Sequence, residues 1–487
     1  MIGRRRQRRR APVLGAPGLG AVGLGAVGLG AVGLGVVGLG VVGLVVVLAA
    51  ALLALGGIPP AAGPGAPTGS VSVRSAAPSR PSTDPGPVLP ALTGGRPPSG
   101  AGLVRRLGPV LADHRLGTAV GMSVVDVTTG DTLYSASTGA RVPASTAKLA
   151  TAAAALTVLG AGHRFRTTAV AGAGPGDVVL VGGGDPTLSV SVAGSYRGAA
   201  ELTDLAAQVR RRLGHRPRRV LVDATLFTGA DRAPGWDPDV RVNGDAAPIT
   251  ALMVDGGRTA PRYDRNRSRA PDLAAGTKFA QLLGLPASAV VRGRAAHGAR
   301  LLGHVSSAPL ASLVERMLGT SDNVVAEALG RQVALARHEP ASFAGAATAI
   351  RTVLRGLGLP VRSLRMTDAS GLSRADRLDP ALLTAILRLA ASRSRPELSS
   401  VYTGLPVAGY SGTLADRYRH GSARRAAGVL RAKTGALTGV QGLAGLVVDV
   451  DHRLLAFAVL ANGGPDGAAA TTAIDAVAAT LAGCGCR

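Results

Sequence analysis

The sequence predicts an α/β (α+β) fold, an antiparallel five-stranded sheet flanked by helices and interrupted by an inserted domain. A strand–turn–strand pattern runs from Ala119 to Ser135, with the turn at Thr129-Gly130-Asp131. Three closing strands are read at Arg431 to Thr438, Gly442 to Val450 and Arg453 to Leu460, and a packing helix follows from about Ala468 to Leu481. Between these two blocks, Pro143-Ala-Ser145-Thr-Ala-Lys148-Leu runs into an Ala-rich helix ending near Leu159-Gly160. From Lys148 to Ser321 is 173 positions, room for an insert between about Arg166 and His304.

Size and composition fit this scheme. At roughly 100–200 residues per domain, 487 residues allow two or three domains. Apolar residues at 46% against 17% charged exclude a largely disordered chain, while 69 Gly and 31 Pro require irregular segments elsewhere. An aromatic content of 2% disfavours a protein that stacks bases or sugars on rings.

The irregular segments lie at the start. Six arginines among the first ten residues are followed by no charge until Arg74, and within that stretch Val36 to Leu55 is a 20-residue apolar run. At 1.5 Å rise per residue it spans the roughly 30 Å hydrocarbon layer, and the flanking arginines keep the N-terminus cytoplasmic. The expected order is a basic, Gly-rich segment at 1–35, a transmembrane anchor or signal peptide at 36–55, and a Pro/Gly/Ser linker at 56–102. A folded body then lies outside the cytoplasm, anchored or secreted, with residues 103–165 and 304–487 forming the main domain and 166–303 the insert. The Gly18-Leu-Gly20-Ala-Val-Gly23 match to a dinucleotide fingerprint is rejected, because no strand precedes it and the glycines recur as a repeat.

The net charge of +25 is spread along the chain and reads as a solvated Arg-rich surface, so no nucleic-acid partner is expected. Cys484 and Cys486 can neither build a disulfide framework nor hold zinc, which leaves a local disulfide or an incidental tail. No metal motif or P-loop is found, and no cofactor is expected.

Three of the 54 basic residues are lysines. Arginine replaces lysine on a surface but cannot be deprotonated to act as a base, so a surviving lysine invites a chemical explanation. Lys148 stands three residues after Ser145, on the same helix face, where an amine can take the proton of a hydroxyl nucleophile. Lys433 stands in Lys433-Thr434-Gly435, whereas Lys278 has no motif around it. Between the two lies Ser321-Asp322-Asn323, which by itself also suits a helix N-terminus.

The ordered set S-x-x-K, S-D-N, K-T-G is the signature of penicillin-binding proteins and serine β-lactamases. From about Leu103 onward the chain resembles the D-alanyl-D-alanine carboxypeptidase/endopeptidase family of low-molecular-mass class C penicillin-binding proteins (peptidase family S13). The likeness extends to Gly183-Gly184-Asp185-Pro186, Asp368-Ala-Ser370-Gly371-Leu372-Ser373 and Gly412-Thr413-Leu414. It implies peptidoglycan stem peptides as substrate, β-lactams as covalent inhibitors, Ser145 as nucleophile and Lys148 as its base. Ser321, Asn323 and Lys433 would complete the proton path, with Lys433 depressing the pKa of Lys148. The amides of Ser145 and Ala436 would form the oxyanion hole, and Thr434 and Gly435 would line the substrate strand. Ala436 departs from the family, which usually has a hydroxyl residue after K-T-G. In relatives a W-x-x-D like Trp236 to Asp239 lines a pocket for the amine of the third stem-peptide residue; the alternative is a Trp packed under a Pro/Gly loop beside an exposed Asp. A class A β-lactamase is disfavoured, because no Asn has a Glu three positions before it.

Overall fold

The computed structural model describes residues 95–136, 139–260 and 265–487. The expected anchor at 36–55 and the linker up to residue 94 lie outside the described residues. Among the described residues no helix is long and apolar enough to cross a membrane.

The body opens with helix α1 (Gly100–Leu111), capped by Ser99, whose Oγ accepts from the Gly102 amide. This start is three residues earlier than the expected linker boundary, because the cap and the buried face of Leu103 and Leu107 recruit Gly100 to Gly102 into the helix. Strands β1 (Ala119–Asp126) and β2 (Thr132–Ala136) follow, then a 3₁₀ turn at Ala144–Ala147 that continues into α2 (Lys148–Leu159).

The insert carries β3 (Arg166–Ala171), β4 (Asp177–Val181), α3 (Leu202–Leu213), β5 (Arg219–Asp223), α4 (Pro271–Leu282), β6 (Val290–Arg292) and β7 (Leu301–Ser306). Its five strands form a second sheet in the order β6-β5-β4-β3-β7, parallel across β4-β5-β6 and antiparallel elsewhere. The insert closes at Ser306 rather than 303, because β7 pairs with β3 up to Ser306 opposite Arg166.

Helices α5 (Leu310–Thr320), α6 (Asn323–Ala336), α7 (Phe343–Gly356), α8 (Pro380–Ala391) and α9 (Ser399–Thr403) return the chain to strands β8 (Leu430–Leu437), β9 (Val440–Val448) and β10 (Leu454–Asn462), and α10 (Ala468–Ala482) ends the fold. The main sheet is wholly antiparallel, β2-β1-β10-β9-β8, with β8 at its edge.

The period-two alternation of β10 sorts the two faces. Ala456, Ala458 and Leu460 pack with α2 and α8, while Leu455, Phe457, Val459 and Ala461 pack with α1 and α10. Helix α2 is buried from Lys148 to Leu156. Its alanines let neighbouring helices and the sheet close around it, which places an amine at the centre of an apolar layer. Cys484 and Cys486 are bonded to each other and buried on the α1–α10 side.

Candidate active site

Ser145 sits on the 3₁₀ turn that opens α2, and Lys148 is the first residue of the α-helix. The preceding residue, Ala144, holds φ +47°, a left-handed conformation that costs an L-residue about 1–2 kcal/mol. That strain bends the chain where the nucleophile meets the cleft. Strand β8 lies against the same turn. A Cβ on Gly435 would come 2.8 Å from the Pro143 carbonyl oxygen and 3.2 Å from the Ser145 amide, so only glycine lets the edge strand approach this closely.

Ser321 and Asn323 occupy the break between α5 and α6. Ser321 ends α5 in the left-handed conformation at φ +59°, and Asp322 caps α6 by accepting from the Val325 amide at 3.1 Å. The motif is therefore both a helix junction and a part of the site. Asp322 is itself held from the insert side, with Tyr196 donating to it at 2.8 Å and Arg258 donating to the Tyr196 hydroxyl at 3.0 Å.

These elements enclose a cleft of about 450 Å³ walled by Ser145, Ser321, Asn323, Thr434 and Ala436. Asp237, Asp239 and Asp245 line it as well, so the wall contributed by the insert is acidic. Burial and the neighbouring Asp239 carboxylate push the Asp245 carboxyl upward. Trp236 does not line the cleft. It is buried beneath it, donating from Nε1 to Asp368 at 2.7 Å and packing edge-on against Phe343, while Asp239 reaches the cleft and accepts from Asn243.

Lys148 Nζ lies 2.8 Å from Ser145 Oγ, 2.6 Å from Asn323 Oδ1 and 2.8 Å from the Ser370 carbonyl oxygen. A neutral amine has two N–H groups and one lone pair. The two carbonyl oxygens take the N–H groups, which leaves the lone pair for the Ser145 hydroxyl, the orientation a general base requires. Burial lowers the Lys148 pKa to about 8, against the opposing pull of Asp368, Glu327, Asp322 and Asp245. Lys433 is likewise held well below its ordinary value, by burial and by the Lys148 and Arg417 charges. Lys433 Nζ donates to the Thr434 carbonyl at 2.7 Å, and the Thr434 hydroxyl shares a 2.9 Å hydrogen bond with Thr413. Among the described residues, Ser321 makes no hydrogen bond to either lysine.

Asp368 and Ser370 lie in the Asp368–Ser373 segment that resembles the family, without a role legible for either, and residue types alone do not single out Glu327. Glu327 is the only acid in α6, four residues after Asn323 and thus on the same helix face, a spacing that could have drawn attention to it.

The profile of the D-Ala-D-Ala carboxypeptidase 3 (S13) family matches residues 103–270 and 264–483. The chain belongs to this family. It is therefore a serine-type D-Ala-D-Ala carboxypeptidase, a penicillin-binding hydrolase of peptidoglycan that acts outside the cytoplasm. It is 44% identical over 421 residues to "Carboxypeptidase DacB" of Mycolicibacterium smegmatis, covering 84% of this chain and 90% of that protein. It is 31% identical to the "D-alanyl-D-alanine carboxypeptidase" of an Actinomadura species, covering 77% and 83%. Penicillin binding protein 4 (dacB) of Haemophilus influenzae shares the fold, with a TM-score of 0.65 at 21% identity over 78% of this chain and 98% of that one. The S13 carboxypeptidase fold thus has the five-stranded antiparallel sheet and flanking helices expected from the sequence.

Proposed function

We propose that Ser145 attacks the carbonyl of the terminal D-Ala-D-Ala bond of a peptidoglycan stem peptide, and that Lys148 takes its proton. The supporting observation is the pair of carbonyl acceptors on Lys148, Asn323 Oδ1 and the Ser370 carbonyl, which take its two N–H groups and leave the amine lone pair for Ser145 Oγ. The Ser145 and Ala436 amides hold the oxyanion, an interaction worth several kcal/mol per site of this kind. Expulsion of D-alanine leaves an acyl-enzyme on Ser145, and water then hydrolyses it. Lys148, held by Asn323, gives the proton up by way of Ser321 and Lys433 to the leaving amine, and Thr434 with Lys433 meets the free carboxylate. The catalytic domain takes residues 103–165 and the return of the chain from 307 onward, and the insert takes 166–306, with β7 running three residues past the expected border.

The acidic wall of Asp239 and Asp245 favours a stem peptide whose third residue carries a free amine. Trp236 supports the floor of that wall. The arginines ahead of Val36 to Leu55 favour export with the N-terminus retained in the cytoplasm, whether the apolar run stays as an anchor or is removed.

Penicillin should form a persistent adduct of one per chain, because the leaving group stays tethered after the β-lactam ring opens. Intact mass after incubation reads it directly, and an adduct that survives Ser145→Ala would remove the mechanism. Digestion of purified muropeptides, with products weighed by mass spectrometry, then separates terminal D-alanine release from cross-link cleavage. Ala436→Ser restores a hydroxyl beside the substrate carboxylate. It should raise kcat/KM on D-Ala-D-Ala peptides several-fold, within the 1.5–3 kcal/mol ceiling of a hydrogen bond to a charged group, and leave penicillin acylation within about two-fold.

A further inference from the structure

The Ser370 carbonyl can orient Lys148 only if the loop that carries it is held still. Two buried carboxylates grip that loop from its amide side. Glu327 Oε1 accepts from the Ala369 amide at 3.1 Å and the Ser370 amide at 2.8 Å, and Oε2 lies 3.0 Å from the Ala369 amide. Asp368 accepts from the Gly371 amide at 2.7 Å and the Ser373 amide at 2.8 Å, and is anchored in turn by Trp236. Helix α6 therefore acts on the base twice along one face, through the Asn323 side chain directly and through Glu327 by way of the loop.

We propose that Glu327 is a positioning residue for the acylation step: by clamping the Ala369 and Ser370 amides it fixes the Ser370 carbonyl against Lys148 and so aims the amine lone pair at Ser145. The inference rests on the reading of Ser145 and Lys148 as nucleophile and base. Glu327 is fully buried beside Asp368 and Arg331, and burial with the Asp368 charge pushes its carboxyl up to about 8. A neutral acid keeps both amide bonds through its carbonyl oxygen, and glutamine reproduces that acceptor.

The test measures β-lactam acylation, resolved into the binding constant and the acylation rate constant, across pH 6 to 9 for the wild type, Glu327→Ala and Glu327→Gln. Glu327→Ala should lower the acylation rate constant 10- to 100-fold with binding within about three-fold, the size of a misaimed base within the 10²–10⁴-fold range of general-base catalysis. Its acid limb should stay in place or move to lower pH, because the lysine has lost an acceptor that stabilised its protonated form. Glu327→Gln should restore the rate constant to within about three-fold. A purely structural role gives another pattern: fewer active molecules, seen as a smaller adduct yield, with rate constant and pH midpoint unchanged. That pattern overturns the proposal, as does Glu327→Gln behaving like Glu327→Ala. Should Glu327→Ala not fold, Glu327→Met fills the volume without an acceptor and is read against the same outcomes. Failure of the underlying mechanism is distinguishable, since it shows as an adduct on Ser145→Ala whatever Glu327 does.

Discussion

Lys148→Arg is expected to acylate on the order of 10²–10⁴-fold more slowly than the wild type, nearly as slowly as Lys148→Ala. Both substitutions remove the amine hydrogen-bonded to Ser145 Oγ, a group that burial lets become neutral around pH 8. A guanidinium keeps the charge but stays protonated at every accessible pH, so charge alone rescues nothing. The wild-type rate should rise with pH, since the free-base fraction grows as pH climbs toward the lysine pKa of about 8 and saturates above it. Neither variant should show that limb. Stopped-flow acylation with a chromogenic β-lactam from pH 6 to 9 decides it, and a Lys148→Arg enzyme within ten-fold of wild type would make the lysine structural.

Gly371→Ala should cost both stability and activity. Gly371 holds φ +80°, and a Cβ there would lie 2.0 Å from the carbonyl oxygen of Ala144, the residue preceding the nucleophile. The left-handed conformation and the overlap together cost on the order of 2–5 kcal/mol. Because the atom that must yield is backbone beside Ser145, the relief moves the nucleophile away from Lys148. Thermal unfolding should show a clearly lowered Tm, and the folded fraction should acylate at least ten-fold more slowly. A variant with native Tm and native rate would show that the loop does not bear on the nucleophile turn.

The parts of this molecule that were legible in the sequence are those written in local patterns. The strands from Arg431 onward were placed within about two residues of β8, β9 and β10, because alternation and turn residues fix them. Ser145, Lys148, Ser321, Asn323 and Lys433 could be selected because each motif is short and the lysines are scarce. What stayed hidden depends on contacts between distant segments. The second sheet joins β4, β5 and β6 through parallel pairing, which leaves no turn signal between partners. Glu327 looks like an ordinary acid until the fold buries it against the Ala369 and Ser370 amides, 42 and 43 positions away in sequence.

The strand order of the main sheet has a consequence for when the enzyme becomes dangerous to its own wall. Strand β1 pairs on one side with β2 and on the other with β10, so the sheet beneath Ser145 stays open until Asn462 is laid opposite Ala119. The base waits in the same way for Asn323 and the loop at Ser370, both more than 170 positions downstream of Lys148. A chain emerging N-terminus first therefore carries nucleophile and base for most of its length without a working site. Pairings of such high sequence separation form late. Hydrolytic capacity thus depends on β10 having joined β1 and on α6 and the Ser370 loop having closed around Lys148.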